Sequence, residues 1–231
     1  MIDVHTHVLP FVDDGSRSVE SSLLMVKEAV AQGVTDMVLT PHLRGDYNAS
    51  SKRLKSVYND FCDVVKNAGI EIKLHLGQEI FIDKDFKKLF STDKILTLNG
   101  SKFVLIEFDY VSDFDIGETV YELVNMGYVP IIAHFERYVY ADSSVAEEVK
   151  SLGGFIQVNA DSFFGKAKKV YYKKIKELFK DGLVDFVASD VHAFRENYLN
   201  KAYAFVLKKF GVSTADAVFT NNALKILNGQ T

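Results

Sequence analysis

The sequence predicts an α/β protein built on a parallel sheet, with one domain over residues 1–231. Three observations predict it. Short runs rich in Val, Ile, Leu and Phe alternate with helical patterns along nearly the whole chain, as expected for strands covered on both faces. Several helical patterns stop at a glycine (Gly33, Gly69, Gly127, Gly153 and Gly182), and the next apolar run begins within about one to five residues. Most of the apolar runs then end in a histidine or a carboxylate.

The strand runs are 1–5, 34–40, 70–79, 103–108, 129–134, 155–158 and 186–189. Between the first two, Val19, Leu23, Val26 and Val30 recur at helical spacing; Leu54, Val57, Tyr58, Phe61 and Val65 do so before the third. Strand, helix, strand, seven times over, implies parallel pairing. No linker, low-complexity tract or charge block divides the chain. An open sheet and a closed barrel both satisfy this periodicity. The polar residues separate them, because an open sheet has one crevice, whereas a barrel gathers all its strand ends at one mouth.

Those strand ends carry the chemistry. The first ends His5-Thr6-His7, and side chains at i and i+2 share a face, so both imidazoles can reach one cation. The second ends Thr40-Pro41-His42, the third Gly77-Gln78-Glu79, the fourth Ile106-Glu107, the fifth Ala133-His134, and the seventh Ser189-Asp190-Val191-His192. One such residue is a loop residue or a cap. Six of seven strands ending this way are hard to attribute to caps, since carboxylates near an interior need compensating charge, which cations supply. Asp14, in Asp13-Asp14-Gly15, fits either a turn aspartate or a further ligand. His75, mid-strand, reads as a satisfied core histidine.

Composition removes several classes. A net charge of −4 argues against a general nucleic-acid binder. No apolar run reaches membrane-span length, and the first residues lack a signal peptide's basic start and apolar stretch, so a cytoplasmic protein is expected. Cys62 is the single cysteine, lies in a helical pattern and has Ala68 six residues on. It reads as a buried helix cysteine, not the nucleophile of a thiol phosphatase.

Taken in order, HxH, Asp-Asp-Gly, Pro-His, Gly-x-Glu, Ile-Glu-Phe, Ala-His-x-Glu-Arg-Tyr, Gln-x-Asn and Ala-Ser-Asp-x-His resemble the PHP (polymerase and histidinol phosphatase) family, in its branch of bacterial capsule- and exopolysaccharide-associated protein-tyrosine phosphatases. The resemblance runs from Met1 to about Asn222. It implies a distorted (β/α)7 TIM-like barrel and three divalent metal ions, manganese first, with iron and zinc as alternatives. Carried over by position, it implies that His5, His7, Glu79 and Asp190 hold one metal. Glu79 then bridges to a second, completed by Glu107 and His134, and Asp14, His42 and His192 hold the third. It also implies that Arg137 orients phosphate; Arg195 is the nearest match to a second arginine, although it stands closer to Asp190 than the family pattern has it.

The expected activity is hydrolysis of phosphotyrosine in proteins by a metal-bound hydroxide, acting on a bacterial tyrosine kinase of capsule synthesis. Metal ligation lowers the pKa of water to about 7, and a phenol with a pKa of about 10 leaves with modest help. The alternatives are a PHP phosphoesterase for a small molecule such as histidinol phosphate, an amidohydrolase-like enzyme, for which no strand end offers a lysine, and a non-catalytic module, which would normally have lost ligands.

Overall fold

The structure is a computed structural model and describes residues 1–112, 114–164 and 169–230. Its first strand, β1 (Ile2–Thr6), is buried at every position although it holds Asp3 and His5. The others are β2 (Asp36–Leu39), β3 (His42–Leu43), β4 (Lys73–Leu76), β5 (Glu79–Phe81), β6 (Phe103–Glu107), β7 (Val129–Ile132), β8 (Phe155–Asn159) and β9 (Phe186–Ala188). They form a sheet of order β1-β2-β4 and another of order β3-β5-β6-β7-β8-β9. Every strand pair is parallel.

The run expected as a single strand over 70–79 is broken, and the one over 34–40, which holds β2, is followed past Pro41 by a short separate strand. Thr40-Pro41 separates β2 from β3, because Pro41 has no N–H for a ladder. Gly77-Gln78 separates β4 from β5, at a point where a Cβ on Gly77 would fall 2.5 Å from Leu98 Cδ2. Each break transfers the chain from the first sheet to the second. Hydrogen bonds still cross it: Gly77 N donates to Leu39 O at 2.9 Å and Glu79 N to Pro41 O at 3.2 Å. Past β9 the chain returns to β1, where Asp190 N donates to His5 O at 2.9 Å and His7 N to Val191 O at 3.0 Å. The strands make a curled parallel sheet whose C-terminal ends share one side.

Helices cover its outside: α1 (Val19–Ala31), α2 (Ser51–Asn67), α3 (Phe86–Phe90), α4 (Ile116–Asn125), α5 (Ser143–Ser151), α6 (Lys169–Lys180), α7 (Leu199–Phe210), α8 (Val212–Asp216) and α9 (Asn222–Leu227). Ser18, Ser50, Asp115 and Asp142 cap α1, α2, α4 and α5, each accepting a backbone N–H. The five glycines read as stops lie just past helix ends with φ between +66° and +94°. Two sequence readings change. The buried stripe of α1 is Ser22, Met25, Val26 and Ala29, so that helix is rotated from the expected 19–23–26–30 line. Cys62 in α2 is only partly buried. Among the described residues no helix is long and apolar enough to cross a membrane.

Alternation divides the core in two. Val104, Ile106, Ile132, Ile156 and Val187 pack in the large cluster that also holds Val120, Leu123 and Val149 of the helices. Their neighbours Phe103, Leu105, Ile131, Ala133, Phe186 and Ala188 form a smaller cluster with Leu98, Ala223 and Ile226. Glu107 follows Phe103 and Leu105 on that second face, and Gln157 and Asn159 follow Phe155. The polar residues therefore stand directly on an apolar floor.

Candidate metal centre

Strand ends aim the candidate ligands, and two of them need an unusual backbone. His134 (φ 35°, ψ 49°) and Asp190 (φ 49°) occupy the left-handed region. For residues with a Cβ this costs of order 1–3 kcal/mol and persists only where the surroundings impose it. Gly15 answers a different demand. A Cβ there would lie 2.1 Å from His7 O, so only glycine lets the Asp13-Asp14 loop fold down onto His7.

Around Glu79 the groups converge. His5 Nε2 and His7 Nε2 lie 3.1 Å apart, 3.3 and 3.2 Å from Glu79 Oε2, and 3.7 and 3.5 Å from Asp190 Oδ1. On the other carboxylate oxygen, His134 Nε2 is 2.8 Å from Glu79 Oε1 and 3.7 Å from Glu107 Oε2. Asp14 Oδ1 lies 3.6 Å from His42 Nε2 and 3.7 Å from His192 Nε2. His42 faces two ways, since its Nδ1 is 2.9 Å from Glu79 Oε2 and 3.4 Å from Glu107 Oε1. Three groupings with ligand-like spacing result: His5, His7 and Asp190; His7, His42 and His192; and His42, Glu79 and Glu107.

The donor set fits divalent cations. Asp14 Oδ1, His42 Nδ1, Glu79 Oε2 and Glu107 Oε2 are buried and accept or donate no hydrogen bond, even though His42 Nδ1 and Glu79 Oε2 are only 2.9 Å apart. Leaving buried polar atoms unsatisfied costs about 1–3 kcal/mol each. Two atoms on one ion at bond lengths of about 2.0–2.2 Å stand roughly 3 Å apart without sharing a proton. Imidazole and carboxylate donors without thiolate favour Mn, Fe or Zn over soft metals.

Behind these groups lies a layer that fixes them. Asp13 Oδ2 takes His7 Nδ1 at 2.8 Å and the backbone N–H of His42 at 3.1 Å, while its Oδ1 accepts Gly15 N at 2.9 Å. Gln157 Oε1 lies 3.0 Å from His5 Nδ1 and accepts His134 N at 2.9 Å. In both histidines the Nδ1 proton is taken, which leaves Nε2 facing the cluster. Asp190 Oδ2 accepts from Asn159 Nδ2 at 2.7 Å, Arg195 Nη1 at 3.0 Å and Arg137 Nη2 at 3.2 Å, so Oδ1 is the oxygen turned inward. Asp13 was hidden by its neighbour Asp14, which looked the equal candidate, and Gln157 and Asn159 appeared only as an unexplained Gln-x-Asn. Their signal was alternation, which puts 155, 157 and 159 on the site's face.

The aromatic residues divide. Phe108, Phe135, Tyr138 and Phe163 are core. Tyr47 stacks on His42 at 6.0 Å, Tyr110 meets His134 edge-on at 5.4 Å, and Phe11 and Phe194 are exposed at 59% and 69% on the loops after β1 and β9. His75 reaches Asn99 and Asp36 at 3.2 and 3.1 Å, away from the centre and with partners for both nitrogens.

Charge balance within the protein is uneven. Burial opposes the charged form of His42, but Glu79 and Glu107 outweigh it and raise its pKa to about 11. His7 is likewise raised, against burial, to about 9 by its hydrogen bond to Asp13 and by the Glu79 carboxylate 3.2 Å from its Nε2. Burial and the charge on His7 push His192 down to about 4. Glu79 and Asp190 would be raised by burial, yet the histidines, and for Asp190 also Arg137, hold them far below the usual carboxylate range.

A family model described as "Capsular polysaccharide synthesis, CpsB/CapC" matches residues 1–228. The tyrosine-protein phosphatase CpsB of Streptococcus pneumoniae is 30% identical, with 100% of this chain and 99% of the relative covered. The tyrosine-protein phosphatase YwqE of Bacillus subtilis is 32% identical, with 100% and 93% covered. A crystal structure from a study of YwqE and CpsB, described as unique metal-dependent tyrosine phosphatases, superposes with a TM-score of 0.92 at 29% identity, covering 100% of this chain and 96% of its own.

Proposed function

Because the chain belongs to the CpsB/CapC family of capsular polysaccharide synthesis proteins, we propose that it is a metal-dependent protein-tyrosine phosphatase. One observation carries the reading beyond family membership. Buried carboxylate and imidazole atoms face one another at about 3 Å without hydrogen bonds, and two arginines are anchored on Asp190 at the border of the same cluster. We further read the curled sheet as the distorted (β/α)7 barrel of the PHP family. The breaks after β2 and β4 and the hydrogen bonds from the end of β9 to β1 support that closure.

Nine residues would hold three ions: His5, His7, Asp14, His42, Glu79, Glu107, His134, Asp190 and His192. The two-sided position of His42 suits a ligand shared between, or choosing between, the Glu79–Glu107 group and the Asp14–His192 group. Manganese is the first candidate. Bound cations supply an acidified water at neutral pH and neutralise charge on the phosphoryl oxygens.

The chain's own residues do the rest. Asp13 and Gln157 hold the Nδ1 protons of His7 and His5, so neither ring can rotate its ligand atom away. Arg137, anchored on Asp190 with its guanidinium 6.0 Å over the Tyr110 ring, keeps further N–H donors for a phosphoryl oxygen. Arg195 stands beside it on the same oxygen of Asp190, reaching that atom despite its closeness in sequence. Tyr47, Tyr110 and Phe194 border the centre and offer ring faces to a phosphotyrosine. A phenolate leaving group, with a pKa near about 10, asks little of a general acid. The substrate we assign is a phosphorylated bacterial tyrosine kinase of capsule synthesis, met in the cytoplasm.

The test is a metal-stripped preparation given Mn, Fe or Zn separately and assayed on a phosphotyrosine peptide and on histidinol phosphate. Activity restored by metal, with the peptide preferred, is expected. Activity that survives complete stripping would exclude the chemistry, and preference for histidinol phosphate would move the substrate to the small-molecule branch.

A further inference from the structure

The chain has five arginines, at 17, 44, 53, 137 and 195; three of them contact candidate ligands and the other two line clefts formed by the loops beside them. Arg137 and Arg195 hold Asp190. Arg17 lines a cleft of about 400 Å³ with Asp14 and Phe194, and Arg53 lines another of about 290 Å³ with Asp13 and Tyr47. Arg44 approaches from the Glu107 side, with Nη1 3.4 Å from Glu107 Oε1, the same oxygen that faces His42 Nδ1 at 3.4 Å.

Arg44 is held in place by its backbone and by an aromatic ring. Arg44 N donates to Tyr47 O and Tyr47 N to Arg44 O, both at 2.9 Å, closing a tight turn that Gly45 permits with φ +51°. The guanidinium carbon sits 5.2 Å over the Phe81 ring. The same turn stacks Tyr47 on His42. One terminal nitrogen touches Glu107 at the outer limit of a hydrogen bond; among the described residues the guanidinium makes no other side-chain hydrogen bond. The side chain is 46% exposed, whereas that of Arg137 is 16% exposed.

A guanidinium fixed at a site edge with donors to spare is suited to an incoming anion. From these contacts we infer that Arg44 is a third phosphate-contacting arginine. It grips the phosphoryl group from the Glu107 flank while Arg137 and Arg195 grip it from the Asp190 flank. This rests on the phosphatase reading above. Being more exposed than Arg137, Arg44 meets substrate on arrival and contributes to binding more than to the chemical step.

The test uses the full chain saturated with Mn. Orthophosphate binding is followed by calorimetry, turnover of a phosphotyrosine peptide by steady-state kinetics, and bound Mn by mass spectrometry. Arg44→Gln is expected to raise the phosphate Kd and the peptide KM each about tenfold, with kcat within about threefold and Mn content unchanged. Arg44→Lys, which keeps the charge but loses the fork, should fall between. Unchanged phosphate affinity in Arg44→Gln overturns the proposal. So does a loss that tracks lowered Mn content, since Arg44 would then act only by orienting Glu107. A wild-type protein that neither binds phosphate nor turns over the peptide would instead sink the reading of the whole site, and Arg44 with it.

Discussion

The same strands serve two interiors that obey opposite rules. On the floor, Phe103, Leu105, Ile131, Ala133, Phe186 and Ala188 are at most 1% exposed and contribute only hydrocarbon. One or two residues further along, His5, Glu79, Glu107, His134 and Asp190 are just as buried, yet they pair like with like and leave carboxylate oxygens unsatisfied. A fold selected for stability alone would not set two imidazole Nε2 atoms 3.1 Å apart or hold His134 and Asp190 at positive φ. The floor pays for the mouth, since burying a large apolar side chain contributes about 1.5–3 kcal/mol. Changes in the upper layer should therefore abolish chemistry with little effect on folding, and changes in the floor should do the reverse.

His134→Ala is the sharpest way to break that contrast. It removes the imidazole that sits between Glu79 and Glu107. Turnover of a phosphotyrosine peptide should fall by at least about a thousandfold, while circular dichroism and the thermal midpoint of the metal-free protein stay near wild type. Wild-type rates would contradict the metal assignment. The complementary change is Phe103→Ala, which opens a cavity beside Phe155. It should cost about 3–5 kcal/mol in denaturant unfolding. The kcat/KM of the protein that remains folded should stay within about threefold of wild type. A comparable loss of bound metal would show that floor and mouth are one cooperative unit.

Charge offers a third probe. With only protein groups around them, His7 and His42 titrate at about 9 and about 11, so both hold protons at neutral pH. His5 Nε2 and His7 Nε2 face each other at 3.1 Å, so only one of that pair can carry a proton there, and the hydrogen bond to Asp13 and the nearby Glu79 carboxylate favour His7. A cation must displace the protons on His7 and His42. Raising the pH therefore strengthens binding, by about a hundredfold per unit below pH 9 and about tenfold per unit above it, once His7 has lost its proton. Mn affinity measured across this range, together with the protons released on mixing, gives both slopes. An affinity independent of pH would mean that the histidines are neutral before the ion arrives.

Much of this contrast was legible in the sequence because its signal is periodic. Apolar runs closed by His, Glu or Asp mark strand ends whether or not neighbouring strands are known, and the glycines mark where helices stop. The two steps between sheets were not legible: 70–79 is continuous in hydropathy, nothing in 34–40 announces the short strand at His42–Leu43, and only packing of Leu98 against Gly77 and the missing N–H of Pro41 show where pairing changes sheet. Left-handed backbone at His134 and Asp190 is equally silent, since nothing in either residue type demands it. Arg44 had no signal at all. A lone arginine in a loop reads as surface until the fold brings Glu107 to it from 63 residues away.

Asp13 tests the layer between mouth and scaffold, where the smallest effect is expected. Its carboxylate does two jobs, fixing the His7 ring through Nδ1 and tying the His42 backbone and the Gly15 turn to it. Asp13→Asn keeps an oxygen for the His7 proton but removes the negative charge that makes the ring a stronger donor. Metal affinity should fall about 10- to 100-fold. With saturating Mn, kcat should recover to within a few-fold of wild type, because Nε2 still points inward. Asp13→Ala loses the hydrogen bonds as well and should not recover, since the ring is then free to turn its ligand atom away. Should Asn and Ala behave alike at saturating metal, the orientation supplied by Asp13 is immaterial, and the boundary of the functional layer lies at the ligands themselves.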